Sequence, residues 1–228
     1  MSVMPDPAAT LAIIAVCHRL AAQGYVAATD GNVSARLEDG DILVTPAGMN
    51  KGVVTEADLV RVRPDGKVIS GSRKPSTEIG MHLFLYAQRP DVHAVVHAHP
   101  IYATAFAAVR LPLTGAHFPE VVIGVGAVPL APYATPSTDE VRKSLAPYVK
   151  ECHAILLASH GVVTMGASLE EALGRMEKVE QTAHVLTVAR ILGGAKRLTT
   201  DELTRLRKVS ITSYGKDPGP LSFLETEN

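Results

Sequence analysis

The sequence has no tryptophan, and only 4% of its 228 residues are aromatic. A surface that stacks nucleic-acid bases on aromatic rings is therefore not expected. Lysine and arginine total 22 against 23 aspartate and glutamate residues, which gives a formal net charge of −1. This balance supplies no basic field for nucleic acid or for an anionic membrane surface. The composition thus argues against both as partners.

Cysteine is also scarce, because only Cys17 and Cys152 are present and they form no C-x-x-C pair. Both lie in apolar runs, where a buried thiol is the expected state. The lack of a disulfide framework fits a reducing cytoplasm. No apolar run is long enough to span a bilayer. The apolar run at residues 8–17 has no basic segment before it, so we expect an amphipathic helix there and not a signal peptide.

Apolar residues make up 46% of the chain, enough for a full core. The length suits one domain over residues 1–228, with residues 213–228 as a C-terminal tail. Turn signals at Asp39-Gly40 and Pro64-Asp65-Gly66 predict two hairpins. The sequence therefore predicts an α/β domain whose central, mainly antiparallel mixed sheet is flanked by helices. Helices are expected at residues 8–23, 77–88, 101–109, 138–149, 168–192 and 201–208, and strands at residues 33–38, 41–45, 59–63, 67–69, 92–98, 120–130, 153–158 and 162–165.

Two histidines lie at the end of one predicted strand. His97 and His99 are two residues apart and so share a face of the sheet. Two imidazoles on a rigid strand suit a metal ion, but an H-x-H pair is equally consistent with ordinary polar residues at a strand end. His93 has the same parity and is a rival ligand, although it lies further from the strand end.

A third histidine, His160, lies at a tight junction between two predicted strands, just before Gly161. Alone it is more often a polar loop residue. Together with the H-x-H pair it would complete a three-histidine set with an open position, which is typical of catalytic zinc. We interpret His93 and the remaining histidines as surface residues or as structural residues that support the ligands from outside the ligand set. The remaining histidines are His18, His82, His117, His153 and His184.

Pro75-Ser76-Thr77-Glu78 opens the helix that precedes the histidine strand. Serine and threonine at a helix start commonly cap free N–H groups, and glutamate there suits the helix dipole. The same helix start could instead bind a phosphate group, with further N–H donors from the turns at Gly31-Asn32 and Ala47-Gly48. The local sequence leaves both interpretations open.

Five segments together resemble the class II aldolase and adducin family, from the first helix to about residue 190. They are Gly31-Asn32-Val33-Ser34, Thr45-Pro46-Ala47-Gly48, Pro75-Ser76-Thr77-Glu78, His97-Ala98-His99 and His160-Gly161. The resemblance implies a homotetramer with active sites between subunits. It also implies a divalent metal, usually Zn²⁺ with Mn²⁺ or Co²⁺ as substitutes, bound by His97, His99 and His160. Glu78 matches the catalytic carboxylate. The positions that match the substrate-phosphate site are Gly31, Asn32, Ala47, Gly48, Ser76 and Thr77.

The resemblance further implies a zinc-dependent lyase that cleaves a ketose 1-phosphate, such as fuculose phosphate, to dihydroxyacetone phosphate and an aldehyde. In family aldolases a tyrosine from a neighbouring subunit protonates the aldehyde oxygen, whereas Phe118 lies at the matching position here. His117, Tyr133 and Tyr214 are the candidate replacements.

The departure at Phe118 keeps a decarboxylase or dehydratase on the same scaffold open. A pentulose-phosphate 4-epimerase ranks lower, because such relatives resemble an aspartate at the position of Glu78. A non-catalytic adducin-like protein would lack the metal histidines.

Overall fold

The computed structural model describes residues 6–215. Its centre is an eight-stranded sheet with the strand order β4-β3-β2-β1-β5-β8-β7-β6. Neighbouring strands are antiparallel except for the parallel pair of β6 and β7. The predicted fold class is therefore confirmed. The strands are β1 Asn32–Arg36, β2 Ile42–Val44, β3 Val60–Val62, β4 Val68–Ser70, β5 Ala94–Ala98, β6 Leu130–Ala131, β7 Ala154–Leu157 and β8 Gly161–Gly166.

Seven helices and two short 3-10 turns complete the described chain. The longest helix begins as its sequence predicts, because the Ser168 hydroxyl accepts a hydrogen bond from the Glu171 N–H at 3.1 Å. The helices are α1 Pro7–Ala22, α2 Ile79–Gln88, α3 Ile101–Ala108, α4 Pro119–Gly124, α5 Asp139–Leu145, α6 Leu169–Ile191 and α7 Thr200–Tyr214, and the 3-10 turns are Lys51–Val53 and Glu56–Asp58.

Helices cover both faces of the sheet, and strand alternation decides which side chains meet which helices. Val96 belongs to the apolar cluster formed with α1, α3 and α6. Val95 and Val163 belong to the opposite cluster, formed with α2 and α5. Successive strand side chains point to opposite faces, so His97 lies on the face of Val95. The N-terminal end of α2 is consequently on the same side of the sheet as His97.

The strand predicted at residues 120–130 was wrong. The structure has helix α4 there, followed only by the two-residue strand β6. Pro119 occupies the first turn of α4, where its restricted φ favours a helix start. This run is apolar and interrupted by glycine, which suggested a strand, but a short buried apolar run does not distinguish the two structures. Val122 instead packs in a small cluster with Leu203 of α7.

The last helix is longer than predicted, because α7 continues to Tyr214 and ends at Gly215 with a φ of 63°. It begins with a capping box between Thr199 and Glu202. Residues 213 and 214, which were expected in the tail, therefore belong to α7. The rest of the predicted tail, residues 216–228, lies outside the described residues. Among residues 6–215 there is no helix with the length and apolarity that a membrane crossing requires.

Candidate active site

The three predicted metal ligands meet at one end of the sheet. His97 is the fourth residue of β5, His99 follows the strand, and His160 lies in the turn between β7 and β8. Their ring centroids are 4.7 to 5.0 Å apart. One nitrogen from each ring can be chosen so that all three lie within 4.8 Å of one another. The fold thus joins a strand end and a distant hairpin into one three-imidazole cluster.

Neighbouring groups orient two of these rings. His97 is fully buried, and its Nδ1–H donates to the carbonyl oxygen of Val162 at 2.8 Å, which leaves Nε2 towards the cluster. His99 Nε2 lies 3.1 Å from His97 Nε2, while its Nδ1 is 3.5 Å from Asp30 Oδ2. A carbonyl or carboxylate on the far nitrogen is the usual way in which proteins orient a metal-binding histidine.

The cluster fits a divalent metal ion. A tetrahedral ion with bonds of about 2.1 Å needs nitrogens roughly 3.4 Å apart, close to the 3.1 Å between His97 and His99. Burial first, and then the charge of His97, lower the pKa of both His99 and His160 to about 4. Both rings are therefore neutral near pH 7, as metal ligands must be. An all-imidazole donor set suits borderline divalent transition metals, zinc among them, better than it suits magnesium or calcium.

Two glycines allow the close approach of the elements that carry the histidines. A Cβ on Gly161 would lie 2.5 Å from His99 Cδ2 and 2.6 Å from the carbonyl oxygen of Ala98. A Cβ on Gly31 would lie 2.8 Å from the carbonyl oxygen of His97. Gly31 also has a φ of 72°, which side chains rarely tolerate. Both positions require glycine because backbone atoms of β5 pass within contact distance.

Glu78 lies beside the cluster, in the turn that opens α2, and its side chain is 12% exposed. Its Oε2 accepts a hydrogen bond from Asn32 Nδ2 at 2.8 Å and lies 3.3 Å from His97 Nε2. Its Oε1 is 3.5 Å from His160 Nε2 and has no hydrogen-bond partner among residues 6–215. Burial acts to raise the pKa of Glu78, but the nearby imidazoles, chiefly that of His97, and the Asn32 hydrogen bond outweigh burial and lower it. The same carboxylate outweighs burial at His97 and raises the pKa of that imidazole.

All six predicted phosphate-site residues line one cavity of about 260 Å³, together with Glu78, His99 and His160. Ser76 is not used as a helix cap at α2, although its hydroxyl accepts the Glu78 N–H at 3.3 Å. The Ala47 N–H already donates to the carbonyl oxygen of Lys74 at 3.0 Å, so Ala47 shapes the cavity wall. The six residues are Gly31, Asn32, Ala47, Gly48, Ser76 and Thr77.

A buried lysine, Lys51, lies against the two turns that form part of this cavity, and it was not identified from the sequence. Lys51 is 1% exposed, and its ammonium donates to the carbonyl oxygens of Thr29 and Met49 at 2.9 and 2.6 Å. Thr29 lies just before the Gly31-Asn32 turn, and Met49 lies just after the Ala47-Gly48 turn. One ammonium group therefore holds both cavity turns by hydrogen bonds. Burial lowers the pKa of Lys51, and the carboxylates of Asp30 and Glu78 partly offset this effect.

The candidate proton donors lie away from this cavity. Tyr133 and Tyr214 are 59% and 62% exposed. His117 lines a separate cavity of about 250 Å³ with Arg190 and Arg197. In the part of one chain that the structure describes, none of the three lines the cavity of Glu78. Phe118 is the residue just before α4 and is also absent from that lining. The donor assignment stays a prediction.

His93, the rival ligand, is exposed and lies outside the three-histidine cluster. His82, which we interpreted as structural, is fully buried next to the site, and its Nε2 lies 2.5 Å from Asn32 Oδ1. Burial first, and then the charge of His97, lower the pKa of His82 to about 3. Its position four residues after Glu78, on the same helix face, was the signal available in the sequence.

Comparisons with known proteins show the family to which the chain belongs. The family model described as "Class II Aldolase and Adducin N-terminal domain" matches residues 11–187. The 3-oxo-tetronate 4-phosphate decarboxylase of Escherichia coli K12 is 38% identical over 195 residues, which cover 81% of this chain and 88% of the relative. The L-fuculose phosphate aldolase of Escherichia coli O6:H1 (strain CFT073) is 35% identical over 192 residues, which cover 84% and 88%.

A solved structure of an L-fuculose 1-phosphate aldolase superposes with a TM-score of 0.84 at 30% sequence identity. The superposition covers 91% of this chain and 98% of that one. The extent of the family match and the identity to these relatives show that the chain belongs to the class II aldolase and adducin family.

Proposed function

We propose that this chain is a divalent-metal-dependent lyase that decarboxylates a phosphorylated 3-oxo sugar acid. The substrate class is that of the decarboxylase relative, 3-oxo-tetronate 4-phosphate. The observation that carries the proposal is that Glu78, the three-histidine cluster and the cavity lined by the six predicted phosphate-site residues lie at one site. Phe118 at the position of the aldolase tyrosine favours a leaving group that needs no proton.

Substrate binding is assigned to the six cavity residues. The N–H groups of Gly31, Gly48 and Thr77 make no hydrogen bond within residues 6–215, and Ser76 and Thr77 are among the residues that line the cavity. Free N–H groups at turns and hydroxyls at a helix start suit phosphate oxygens. Lys51 adds a positive charge behind the two turns. Anchoring the phosphate there would orient the reacting carbons towards Glu78.

A metal ion bound by His97, His99 and His160 would act as a Lewis acid and stabilise the negative charge that develops at the substrate's carbonyl oxygen. Glu78 is ionised and can accept the proton of the substrate hydroxyl next to that carbonyl. Carbon dioxide then leaves, and its bonding electrons remain on the carbon that carried it as an enediolate. Glu78 returns the proton to this carbon, and solvent replaces the hydroxyl proton. The product is dihydroxyacetone phosphate.

Aldol cleavage of a ketose 1-phosphate is the second candidate, and the similarity to L-fuculose 1-phosphate aldolase over 98% of that chain favours it. It would use the same cavity and the same enediolate. It differs in needing an acid for the aldehyde oxygen, for which His117, Tyr133 or Tyr214 of a neighbouring subunit would be needed. A homotetramer is part of the proposal, and light scattering would then give four times the chain mass of 24.1 kDa.

The test is to incubate the zinc-loaded protein with 3-oxo-tetronate 4-phosphate and, separately, with fuculose 1-phosphate. We expect carbon dioxide and dihydroxyacetone phosphate in equal amounts from the first substrate and little product from the second. Dihydroxyacetone phosphate from fuculose 1-phosphate alone would favour the aldolase instead. Failure of both substrates and of a panel of related sugar phosphates would contradict a lyase.

A further inference from the structure

A chain of hydrogen bonds runs through the buried layer between α2 and β1 and ends on Glu78. The Tyr86 hydroxyl lies 2.8 Å from Ser34 Oγ, and Ser34 Oγ lies 2.6 Å from His82 Nδ1. His82 Nε2 lies 2.5 Å from Asn32 Oδ1, and Asn32 Nδ2 donates to Glu78 Oε2 at 2.8 Å. Ser34 and His82 are fully buried, while Asn32 and Tyr86 are 3% and 5% exposed. Water therefore has little access to replace any of these partners.

The chemistry of the groups fixes the direction of this chain. An ionised carboxylate only accepts hydrogen bonds, so the amide nitrogen of Asn32 must face Glu78 and its oxygen must face His82. His82 must then carry its proton on Nε2 and accept at Nδ1. Ser34 must donate to Nδ1 and can accept from Tyr86. Every donor in the chain consequently points towards the carboxylate.

Glu78 receives this chain on one oxygen only. Oε2 is the oxygen bonded by Asn32, whereas Oε1 is buried, lacks a hydrogen-bond partner within the described chain and lies 3.5 Å from His160 Nε2. Rotation of the Asn32 amide by 180° would place its oxygen against Oε2, which is repulsive. Asn32 keeps its productive orientation because His82 donates to its oxygen.

We propose that His82 is a positioning residue, acting through Asn32 to hold Glu78 by Oε2 so that Oε1 takes up and returns the substrate proton. This inference rests on the proposed function, in which Glu78 moves that proton. Misplacement of a reacting group by about 1 Å can cost roughly 100-fold in rate. A histidine that does not itself line the cavity would then control the proton-transfer rate.

The test measures proton transfer without any carbon–carbon bond cleavage. The zinc-loaded full chain is incubated with dihydroxyacetone phosphate in D₂O, and NMR follows the exchange of the hydroxymethyl protons next to the carbonyl. For His82→Leu we expect the exchange rate at saturation to fall by about 100-fold, a much larger change than the rise in the half-saturating concentration that follows from Asn32 at the cavity wall. For His82→Gln we expect recovery to within about tenfold, because the Gln amide can donate from the place of Nε2.

A purely structural role for His82 predicts a different pattern. Loosening of the cavity would raise the half-saturating concentration, and Gln would rescue no better than Leu. Either that pattern or exchange at the wild-type rate in His82→Leu would overturn the proposal.

A second measurement separates this proposal from the proposed function and does not depend on a folded variant. In ¹⁵N-histidine spectra of the wild-type protein at pH 7, His82 should be a neutral ring protonated on Nε2. Protonation on Nδ1 would reverse the chain and overturn the positioning role, whatever reaction the protein catalyses. A wild-type protein that exchanges no deuterium would contradict the proposed function. In that case the His82 tautomer still decides whether the chain of hydrogen bonds has the stated direction.

Discussion

Glu78→Gln is the substitution that isolates proton transfer most cleanly. Glutamine has the shape of glutamate, and its carbonyl oxygen can take the place of Oε2, which accepts from Asn32 Nδ2 at 2.8 Å. Its NH₂ group then occupies the place of Oε1, which lies 3.5 Å from His160 Nε2. The three imidazoles keep their contacts, because none of them depends on Glu78 for its backbone position. The group that is lost is the carboxylate that accepts and returns a proton.

The size of the expected effect follows from this change. General acid–base catalysis by a positioned side chain contributes about 10²- to 10⁴-fold. At 1.36 kcal/mol for each factor of ten, the barrier should rise by roughly 3 to 5 kcal/mol. Metal binding should weaken by far less, because the three imidazoles that supply the ligands are all retained.

The assay compares turnover, metal content and thermal unfolding of Glu78→Gln with those of the wild type. We expect the metal content of the two proteins to be nearly equal and the turnover rate of Glu78→Gln to be lower by about two to four orders of magnitude. Turnover within threefold of the wild type would refute the assignment of Glu78 as the base. Loss of metal together with loss of activity would show instead that Glu78 acts mainly by holding the ion.

Three further predictions test the surroundings of the site. Gly161→Ala places a Cβ 2.5 Å from His99 Cδ2, so zinc affinity measured by chelator competition should fall roughly tenfold or more, and unchanged affinity would argue against this packing constraint. Lys51→Met removes the buried cation behind the cavity, so the dissociation constant for dihydroxyacetone phosphate should rise roughly tenfold by calorimetry. The exposed Lys67→Met is the control, and equal effects in the two variants would contradict a role for burial. Because burial lowers the pKa of His82 to about 3, its imidazole binds more protons in the unfolded chain than in the folded chain below about pH 6.5, and His82 alone should lower the free energy of unfolding by about 2 kcal/mol from pH 7 to pH 5. A His82→Gln variant with the same pH slope would contradict that cause.

Much of the metal cluster could be predicted from the sequence, because period-two alternation depends only on local chain geometry. That rule places His97 and His99 on one face, and the Gly161 turn marks His160 as a residue at a strand end. Local rules could not predict that Glu78 and His160 lie at the same site. That prediction came from the resemblance of the five separated segments to the class II aldolase and adducin family. The structure brings all four together at the end of β5.

Other features depend on contacts between distant residues, and these the sequence did not reveal. Lys51 is buried because carbonyl oxygens 22 and 2 residues away surround its ammonium. His82 gains its role through Asn32, 50 residues earlier in the chain. Helix α4 replaces a predicted strand because Val122 packs on α7 and not in the sheet. In each case tertiary packing determines the structure or the role of the residue, and local sequence propensity does not reveal it.

The most direct test of the account is the metal stoichiometry of the purified chain and of its His97→Ala, His99→Ala and His160→Ala variants, measured by elemental analysis. The convergence of these three imidazoles predicts about one divalent ion per wild-type chain and a large loss of metal in each variant, with zinc bound most tightly. A wild-type stoichiometry near zero that added zinc does not restore would contradict the account. Full metal content in a histidine variant would place the ion elsewhere and contradict it equally.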